Sequence, residues 1–295
     1  MPKVLKRKRK TPVTSEVSNG QAAGPSGASS KPQSTRTVIR RFHVLIKRQA
    51  QLTSILRKKG GSLSFIDVQT ELVDVEREIE ELGGLQAYQK MSSIGQGNDR
   101  GGGSEKVLIE WLKGLEMHKN REAARLRLLE VGALKPDNYS SCSAWIDVTP
   151  IDLHSRHPSI MEQDLLLMDE DQHRGKWDII SLSLVMNFVP DAKDRGRMLR
   201  LAHSMLCDEG LLFVVLPLPC ILNSRYMTPE HFDRLIRTVG FTILQTRWKA
   251  GGKMAYWLLR RTSESSPNAN AKAPAPFAKK VELRSGNRNN FAILL

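Results

Sequence analysis

Hydrophobic positions from residue 127 onward alternate between two patterns, continuous apolar runs and apolar residues spaced by three or four, which predict buried strands and helices respectively. Strands are predicted at residues 127–131, 148–152, 177–184, 210–216, 241–248 and 255–260, with helices at 193–206 and 228–239. Runs such as WDIISLSLV are apolar on both faces, as in central parallel strands that helices cover on both sides. The last two strands flank KAGGK, which is a hairpin signal. The pattern predicts an α/β fold, a doubly wound and mostly parallel sheet with an antiparallel hairpin at one edge.

Three helices are predicted before this sheet. They cover residues 37–59, a stretch that ends at the glycine pair 83–84, and residues 105–118. The first mixes apolar positions with a basic face, and two interpretations stay open. In one, the helix lies on RNA or an acidic partner through Arg40, Arg41, Lys47 and Arg48. In the other, it packs Val38, Leu45 and Leu52 on the core.

Both ends of the chain have the composition of linkers. Residues 1–36 are rich in Lys, Ser, Gly and Pro and nearly lack large apolar side chains, so they are predicted to form a disordered basic tail. Residues 262–295 return to a similar composition and are predicted to form a disordered C-terminal tail. Between them we expect an N-terminal helical region over residues 37–120 and the α/β domain over residues 121–261.

The positive charge is concentrated in the first part of the chain. The net charge is +14, and residues 1–60 hold 15 Lys and Arg against one acid, Glu16, which accounts for all of it. The cluster KRKRK, from Lys6 to Lys10, is of the kind that a nuclear import receptor or a polyanion binds. A merely solvated charge run is the alternative interpretation.

Cysteine usage and hydropathy restrict the class of protein. Cys142, Cys207 and Cys220 are widely spaced, without a CxxC pair or a histidine cluster at metal-ligand spacing. We therefore expect no disulfide framework and no metal. The longest apolar run, GLLFVVLPLPCIL, is interrupted by prolines and is too short to span a bilayer, so no membrane segment is expected. These features favour an intracellular protein in a reducing compartment.

Candidate chemistry lies where the first two predicted strands end. Gly132 follows the first strand, and a missing side chain there lets a cofactor approach the backbone. Glu130 is placed to hold the loop or a cofactor ammonium group. Asp152 ends the second strand, where a carboxylate can accept both hydroxyls of an adenosine ribose. A simple turn glycine is the alternative for Gly132, and Asp164, predicted to read the adenine edge on the next loop, is otherwise a surface acid.

Two further loops carry polar residues at the same predicted edge of the sheet. Asn187 stands in the apolar stretch SLVMNFVP, followed by an aromatic residue and a proline. Its amide carbonyl is suited to orienting a base edge, which makes it the candidate catalytic residue, with a loop cap as the alternative. Asn223 and Arg225, in LPLPCILNSRY, are the candidate substrate-binding residues for RNA, or belong to a structured loop.

The segments LLEVGALKPDN, PIDLHSRHPSIMEQD, WDIISLSLVMNFVPDAKDRGRML and VLPLPCILNSRY together resemble the fungal nucleolar 25S ribosomal RNA adenine-N1 methyltransferase family. The lead-in ELGGLQAYQKMSSIGQ is similar as well, and the resemblance covers about residues 65–260. It implies a Rossmann-like class I methyltransferase fold and S-adenosylmethionine as methyl donor, with cofactor contacts at Gly132 and Asp152. One departure from the broader methyltransferase pattern is that no second glycine follows Gly132 in this loop.

The function implied by the resemblance is methylation of adenine N1 in large-subunit ribosomal RNA, free or within a pre-ribosome, in the nucleolus. A related metazoan branch is associated with sensing S-adenosylmethionine for growth signalling through TORC1. A non-catalytic S-adenosylmethionine sensor that binds a protein partner is therefore the alternative. A methyltransferase acting on protein or small molecules is a third hypothesis.

Overall fold

A computed structural model describes residues 35–58, 64–84, 87, 103–119, 124–155, 157–262 and 277–295. A seven-stranded sheet forms its centre, and the strands are β1 (Leu126–Val131), β2 (Ile146–Asp152), β3 (Met161–Glu162), β4 (Trp177–Ser183), β5 (Leu206–Pro217), β6 (Phe241–Arg247) and β7 (Met254–Arg261). The helices are α1 (Thr35–Lys58), α2 (Ser64–Glu81), α3 (Glu105–Gly114), α4 (Glu170–His173), α5 (Ala192–Met205), α6 (Leu218–Leu222) and α7 (Pro229–Val239).

The strand order is β3-β2-β1-β4-β5-β7-β6. Strands β1 to β5 pair in parallel, while β7 is antiparallel to both β5 and β6. This is the order of class I S-adenosylmethionine-dependent methyltransferases, and the predicted fold class is confirmed. The sequence pattern located the six longer strands to within a few residues, but it missed the two-residue β3 and the short helices α4 and α6.

The core lies on both faces of the sheet because the central strands are apolar in both directions. One cluster contains Leu129, Ile180 and Val214, and the opposite one contains Leu128, Ile179 and Phe213. Adjacent residues of one strand point to opposite faces, so each central strand contributes to both clusters. The rigid sheet that results fixes the position of the loops at the carboxyl ends of the strands.

Helices α1 and α2 pack against each other, so the apolar face of α1 has a packing role, although its cluster with α2 is separate from the two clusters on the sheet. Leu45 and Leu52 are buried with Val75 in one apolar cluster. Arg41 and Arg48, which the alternative interpretation assigned to RNA, bind the α2 glutamates Glu78 and Glu71 through bidentate contacts. At least these two charges of the α1 basic face are neutralised within the protein.

Prediction of a disordered tail from residue 262 is wrong for residues 277–295, here called the C-terminal segment. Phe291, Ala292 and Ile293 are each no more than 3% exposed. The segment also passes so close to α5 that a Cβ atom on Gly196 would lie 1.8 Å from the Leu294 carbonyl oxygen. The short apolar end FAILL repays the entropy of ordering because it enters the main core, although the residues before it are polar.

Predictions for residues 1–34 and for the Lys6–Lys10 cluster lie outside the described residues. Within the part of the chain that the structure describes, no helix has the length and apolar character needed to cross a membrane. The same residues contain no group of three His, Cys, Asp or Glu side chains placed to hold a metal ion.

Candidate active site at the carboxyl ends of the strands

Gly132 and Asp152 lie side by side at the carboxyl edge of the sheet. Val131 of β1 pairs in register with Ile151 of β2. The residues that follow them, Gly132 and Asp152, therefore lie next to each other. The amide groups of Gly132 and Ala133 both donate to the Ile151 carbonyl oxygen, at 2.8 and 3.0 Å. The ends of β1 and β2, which the sequence analysis identified as candidate chemistry, are therefore adjacent.

Gly132 adopts a conformation that favours glycine. Its φ is +76°, in the left-handed region, and a Cβ atom there would lie 2.8 Å from Cγ2 of Val185, in the loop after β4. Backbone strain and a steric conflict thus both disfavour a side chain at this position. The turn at Gly132 lies close to the loop after β4, and the backbone at Gly132 carries no side chain that would cover it.

Glu130 is a buried carboxylate beside this turn. It is 8% exposed, and its Oε1 accepts a hydrogen bond from Asn138 Nδ2 at 2.7 Å. Its Oε2 is buried without a partner among the described residues. Burial raises the pKa of Glu130 to about 7, a rise that the Asn138 hydrogen bond opposes and the nearby Glu105 charge reinforces. A carboxylate held in this state would gain from a cationic ligand group.

The start of α3 lies close to the end of β4. Ser104, at the N-cap position of α3, shares a hydrogen bond with Ser183 at an oxygen-oxygen distance of 2.5 Å. The buried Tyr139 hydroxyl bonds to Ser181 on β4, and burial raises the pKa of Tyr139 well above its usual value. Sequence reasoning did not identify Ser104, Tyr139 or Ser183, because nothing in their spacing indicates that they meet.

Asp152 ends β2, and Asp164 lies just after the neighbouring strand β3, at the same edge of the sheet. Asp152 Oδ1 accepts from the backbone amide of His154 at 2.9 Å, and its carbonyl oxygen accepts from Gln163. Asp164 follows β3 and caps a short 3-10 turn by accepting from the Leu166 amide at 2.8 Å. The structure thus brings both predicted acids to the edge that holds Gly132, and Asp164 has a capping contact besides its predicted role.

Asn187 lies in the loop that follows β4, the strand next to β1. It is 7% exposed, and its Oδ1 is buried with no partner in the described part of the chain. An unpaired buried amide oxygen is costly, so a hydrogen-bond donor is expected to meet it when the site is filled. The alternative interpretation of Asn187 as a loop cap is not supported by any hydrogen bond of its Oδ1.

Asn223 and Arg225 lie beyond β5 and contact the C-terminal segment. Arg225 donates to Asn290 Oδ1 at 2.7 Å and to the Gly286 carbonyl oxygen at 3.1 Å. Asn223 accepts from the Asn289 backbone amide at 3.0 Å. Both residues hold this segment in place, a structural role that the sequence did not predict.

The residues at this edge fit S-adenosylmethionine. Glu130 Oε2 and Asn187 Oδ1 are buried acceptors without described partners, Gly132 bears no side chain, and Asp152 ends the adjacent strand. An ammonium group, an adenosyl ribose and a substrate amine are the donors that such acceptors would meet. The donor set contains no thiolate or imidazole cluster.

Comparisons with known proteins identify the family of the chain. The family described as "25S rRNA (adenine(2142)-N(1))-methyltransferase, Bmt2" matches residues 73–293. The 25S rRNA adenine-N(1) methyltransferase of Schizosaccharomyces pombe is 34% identical over 87% of this chain and 89% of its own length. The 25S rRNA (adenine(2142)-N(1))-methyltransferase of Saccharomyces cerevisiae is 28% identical over 90% and 93%.

A solved S-adenosylmethionine-dependent methyltransferase from Clostridium acetobutylicum is similar at 11% identity and a TM-score of 0.44, over 59% of this chain and 99% of that one. The family match, by contrast, extends over the whole sheet and into the C-terminal segment, and it includes Gly132, Asp152 and Asn187. The chain therefore belongs to the 25S rRNA (adenine(2142)-N(1))-methyltransferase family.

Proposed function

We propose that this protein transfers a methyl group from S-adenosylmethionine to N1 of an adenine in large-subunit ribosomal RNA. The observation that carries the proposal is the adjacency of Gly132, Asp152 and Glu130 at one sheet edge, in a chain of this family. Bound there, S-adenosylmethionine supplies an electrophilic methyl group on a sulfonium centre.

We assign the residues of the site as follows. The Asp152 carboxylate accepts hydrogen bonds from the two ribose hydroxyls of S-adenosylmethionine. Glu130 binds the ammonium group of the cofactor, and Asp164 contacts the edge of its adenine. Gly132 leaves room for the cofactor beside the backbone. Each assignment relies on burial, register or hydrogen-bonding capacity at the carboxyl edge of the sheet.

Asn187 is the proposed catalytic residue because its free Oδ1 can accept from the exocyclic amine of the target adenine. Adenine N1 has a lone pair in the plane of the ring, so it needs no strong base to remove a proton before it attacks. Alignment of the base with the methyl group then supplies most of the acceleration. This explains why the site requires hydrogen-bond acceptors rather than a catalytic triad.

Ribosomal RNA is proposed to approach along Asn223, Arg225 and the C-terminal segment. That segment contains four Lys and Arg against one Glu, and Lys279 and Lys280 are exposed. Phosphate contacts of this kind position a substrate without reading its sequence. Since Arg41 and Arg48 of α1 are paired with glutamates, the C-terminal segment is the better candidate for docking.

Localisation in the nucleolus is also proposed, with import through the Lys6–Lys10 cluster. A reporter fused to residues 1–34 should accumulate in the nucleus, and replacing the five basic residues by alanine should disperse it. Unchanged accumulation in the alanine variant would remove the cluster from the import mechanism.

The function is tested by two measurements on the purified full-length protein. Calorimetry measures S-adenosylmethionine binding, and a labelled-methyl assay uses unmodified large-subunit rRNA as substrate. In a strain lacking the protein, primer extension should lose one stop, because N1-methyladenine blocks base pairing. Binding without transfer to RNA would instead favour the sensor hypothesis, and label that survives RNase treatment would favour a protein or small-molecule substrate.

A further inference from the structure

Two arginines, the buried Arg195 and the half-buried Arg284, connect the C-terminal segment to the two loops that carry the proposed substrate contacts. One loop spans residues 186–190 and contains Asn187. The other comprises the end of α6 and the residues after it, 221–227, and contains Asn223 and Arg225. Neither arginine forms an ion pair with a carboxylate among the described residues, and both donate to backbone carbonyl oxygens.

Arg195, on α5, binds the backbone of the loop that contains Asn187. Its Nε donates to the carbonyl oxygens of Met186 and Val189, at 3.1 and 2.9 Å, and its Nη2 donates to that of Pro190 at 3.2 Å. The remaining Nη1 donates to the carbonyl oxygen of Ala292 in the C-terminal segment. The guanidinium thus connects the backbone on both sides of Asn187 to Ala292, which lies 97 positions after Arg195 in the chain.

Packing fixes the direction of this guanidinium. Arg195 is 3% exposed, and its Cζ lies 4.6 Å from the centre of the Phe291 ring. The Leu294 amide donates to the Ala192 carbonyl oxygen at 2.8 Å, which ties the same stretch to the first turn of α5. The segment cannot leave without exposing the arginine and freeing one of its donors.

Arg284, in the C-terminal segment, makes the reciprocal contact with the second loop. It donates to the carbonyl oxygens of Ser224, Leu222 and Ile221, at 3.1, 2.7 and 2.5 Å, and also to that of Met227. The buried Ser224 hydroxyl returns a hydrogen bond to the Phe291 carbonyl oxygen at 2.5 Å. The segment and the loop therefore hold each other through side chains from both sides.

Arginine suits contacts of this kind because its guanidinium presents several donors in one plane and fixes several acceptors at once. The acceptors here are loop carbonyls whose positions determine where Asn187 and Asn223 lie. The geometry points to positioning as the reason for both residues.

We propose that the C-terminal segment, through the positioning residues Arg195 and Arg284, sets the geometry of the two loops that contact the ribosomal RNA. This inference rests on the proposed function, because it assigns the loops to the substrate of methyl transfer. The segment thereby belongs to the active site, although it is remote from the cofactor residues in sequence.

Lysine variants test the proposal because lysine keeps the charge but loses the planar set of donors. Arg195→Lys is expected to lower kcat for methyl transfer to rRNA about 10- to 100-fold, the range for a small misplacement of reacting groups. The Kd for S-adenosylmethionine should stay within about 2-fold, since no cofactor residue is touched. Arg200→Lys, at an exposed position of the same helix, is the matched control and should retain wild-type kcat.

Arg284→Lys is expected to act on the other kinetic constant. Its loop carries the proposed docking residues, so KM for rRNA should rise about 10-fold, while kcat changes less. A double variant then examines whether Arg195 acts through Asn187. In an Asn187→Ala background, Arg195→Lys should lower kcat by less than 2-fold more, because the residue that it positions is already absent.

If the wild-type protein methylates rRNA, three results with the variants would overturn the inference. They are a kcat for Arg195→Lys equal to that of Arg200→Lys, parallel losses of cofactor affinity and melting temperature, and full additivity with Asn187→Ala. If Arg195→Lys does not fold, Phe291→Leu removes the ring against the guanidinium and must lower kcat at unchanged cofactor Kd. A wild-type protein that binds the cofactor but methylates no RNA would refute the proposed function itself, and the inference with it.

Discussion

Cofactor affinity should depend on the protonation of Glu130. The side chain is buried beside Gly132, and its pKa of about 7 means that a large fraction of the unliganded protein carries a neutral carboxylic acid at neutral pH. An ammonium group binds the ionised form. Lowering the pH through 7 should therefore weaken S-adenosylmethionine binding, and Glu130→Gln should remove that dependence while keeping an acceptor for Asn138.

The size of the effect follows from the linkage of binding to ionisation. If only the carboxylate form binds, the observed Kd is multiplied by one plus the ratio of neutral to ionised Glu130. With a pKa of about 7, the Kd rises about 8-fold between pH 7.5 and 6.0, which is on the order of 1 kcal/mol. The α-amino group of the ligand, with a pKa near 8, contributes equally to wild type and variant.

The same carboxyl group makes the stability of the unliganded protein depend on pH in a definite direction. Its pKa is raised from 4.5 to about 7 in the folded state, so the folded state binds the proton more tightly than the unfolded chain does. The free energy of unfolding should fall as pH rises from about 4.5 to 7, by up to about 3 kcal/mol. Glu130→Gln should flatten this part of the profile.

Calorimetric titration at several pH values between 6.0 and 7.5 measures the binding effect, and urea unfolding across pH 4.5 to 7.5 measures the stability effect. Glu116→Gln, at an exposed glutamate after α3, is the control and should behave as wild type. A wild-type Kd that does not change with pH, or a Glu130→Gln variant that keeps the wild-type pH dependence, would show that Glu130 does not hold the ammonium group.

Three other predictions address the turn, the ribose contact and the tail. Gly132→Ala should lower the free energy of unfolding more than Gly251→Ala does. Both glycines have φ near +75°, but only at position 132 would the new Cβ lie against another side chain. Equal losses in urea titrations would contradict this steric explanation. Asp152→Asn should weaken S-adenosylmethionine binding by about 1 to 3 kcal/mol in calorimetry, whereas Asp147→Asn, at the other end of β2, should not. Removing residues 1–34 should flatten the salt dependence of rRNA affinity in filter binding, and an unchanged slope would show that the tail does not contact phosphates.

Local patterns were sufficient to predict the sheet and its edge. Apolar runs such as 177–184 and 210–216 identify central strands whatever their partners, since burial on both faces is required of any strand in that position. A glycine and an acid that directly end two consecutive strands of a parallel sheet must come to the same edge. The proximity of Gly132 and Asp152 follows from that rule, and they directly follow the last paired residues, Val131 and Ile151.

The C-terminal segment shows where local reasoning is insufficient. Its polar composition between residues 278 and 290 is that of a linker, and only the last few apolar residues signal burial. Arg195 likewise reads as a solvated helix residue between Asp194 and Gly196. Its partners lie on a distant part of the chain, so no spacing within a short window reveals them.

The strands, the glycine turn and the acids beside it could be predicted from the amino-acid sequence, because each depends on the chemistry of neighbouring residues and on a periodicity that short windows contain. The folded structure was needed to show that Arg41 and Arg48 bind glutamates, and that the last residues of the chain reach back to the loop of Asn187. Those contacts depend on which distant surfaces meet when the core closes, and hydrogen bonds between residues far apart in the chain leave no local trace.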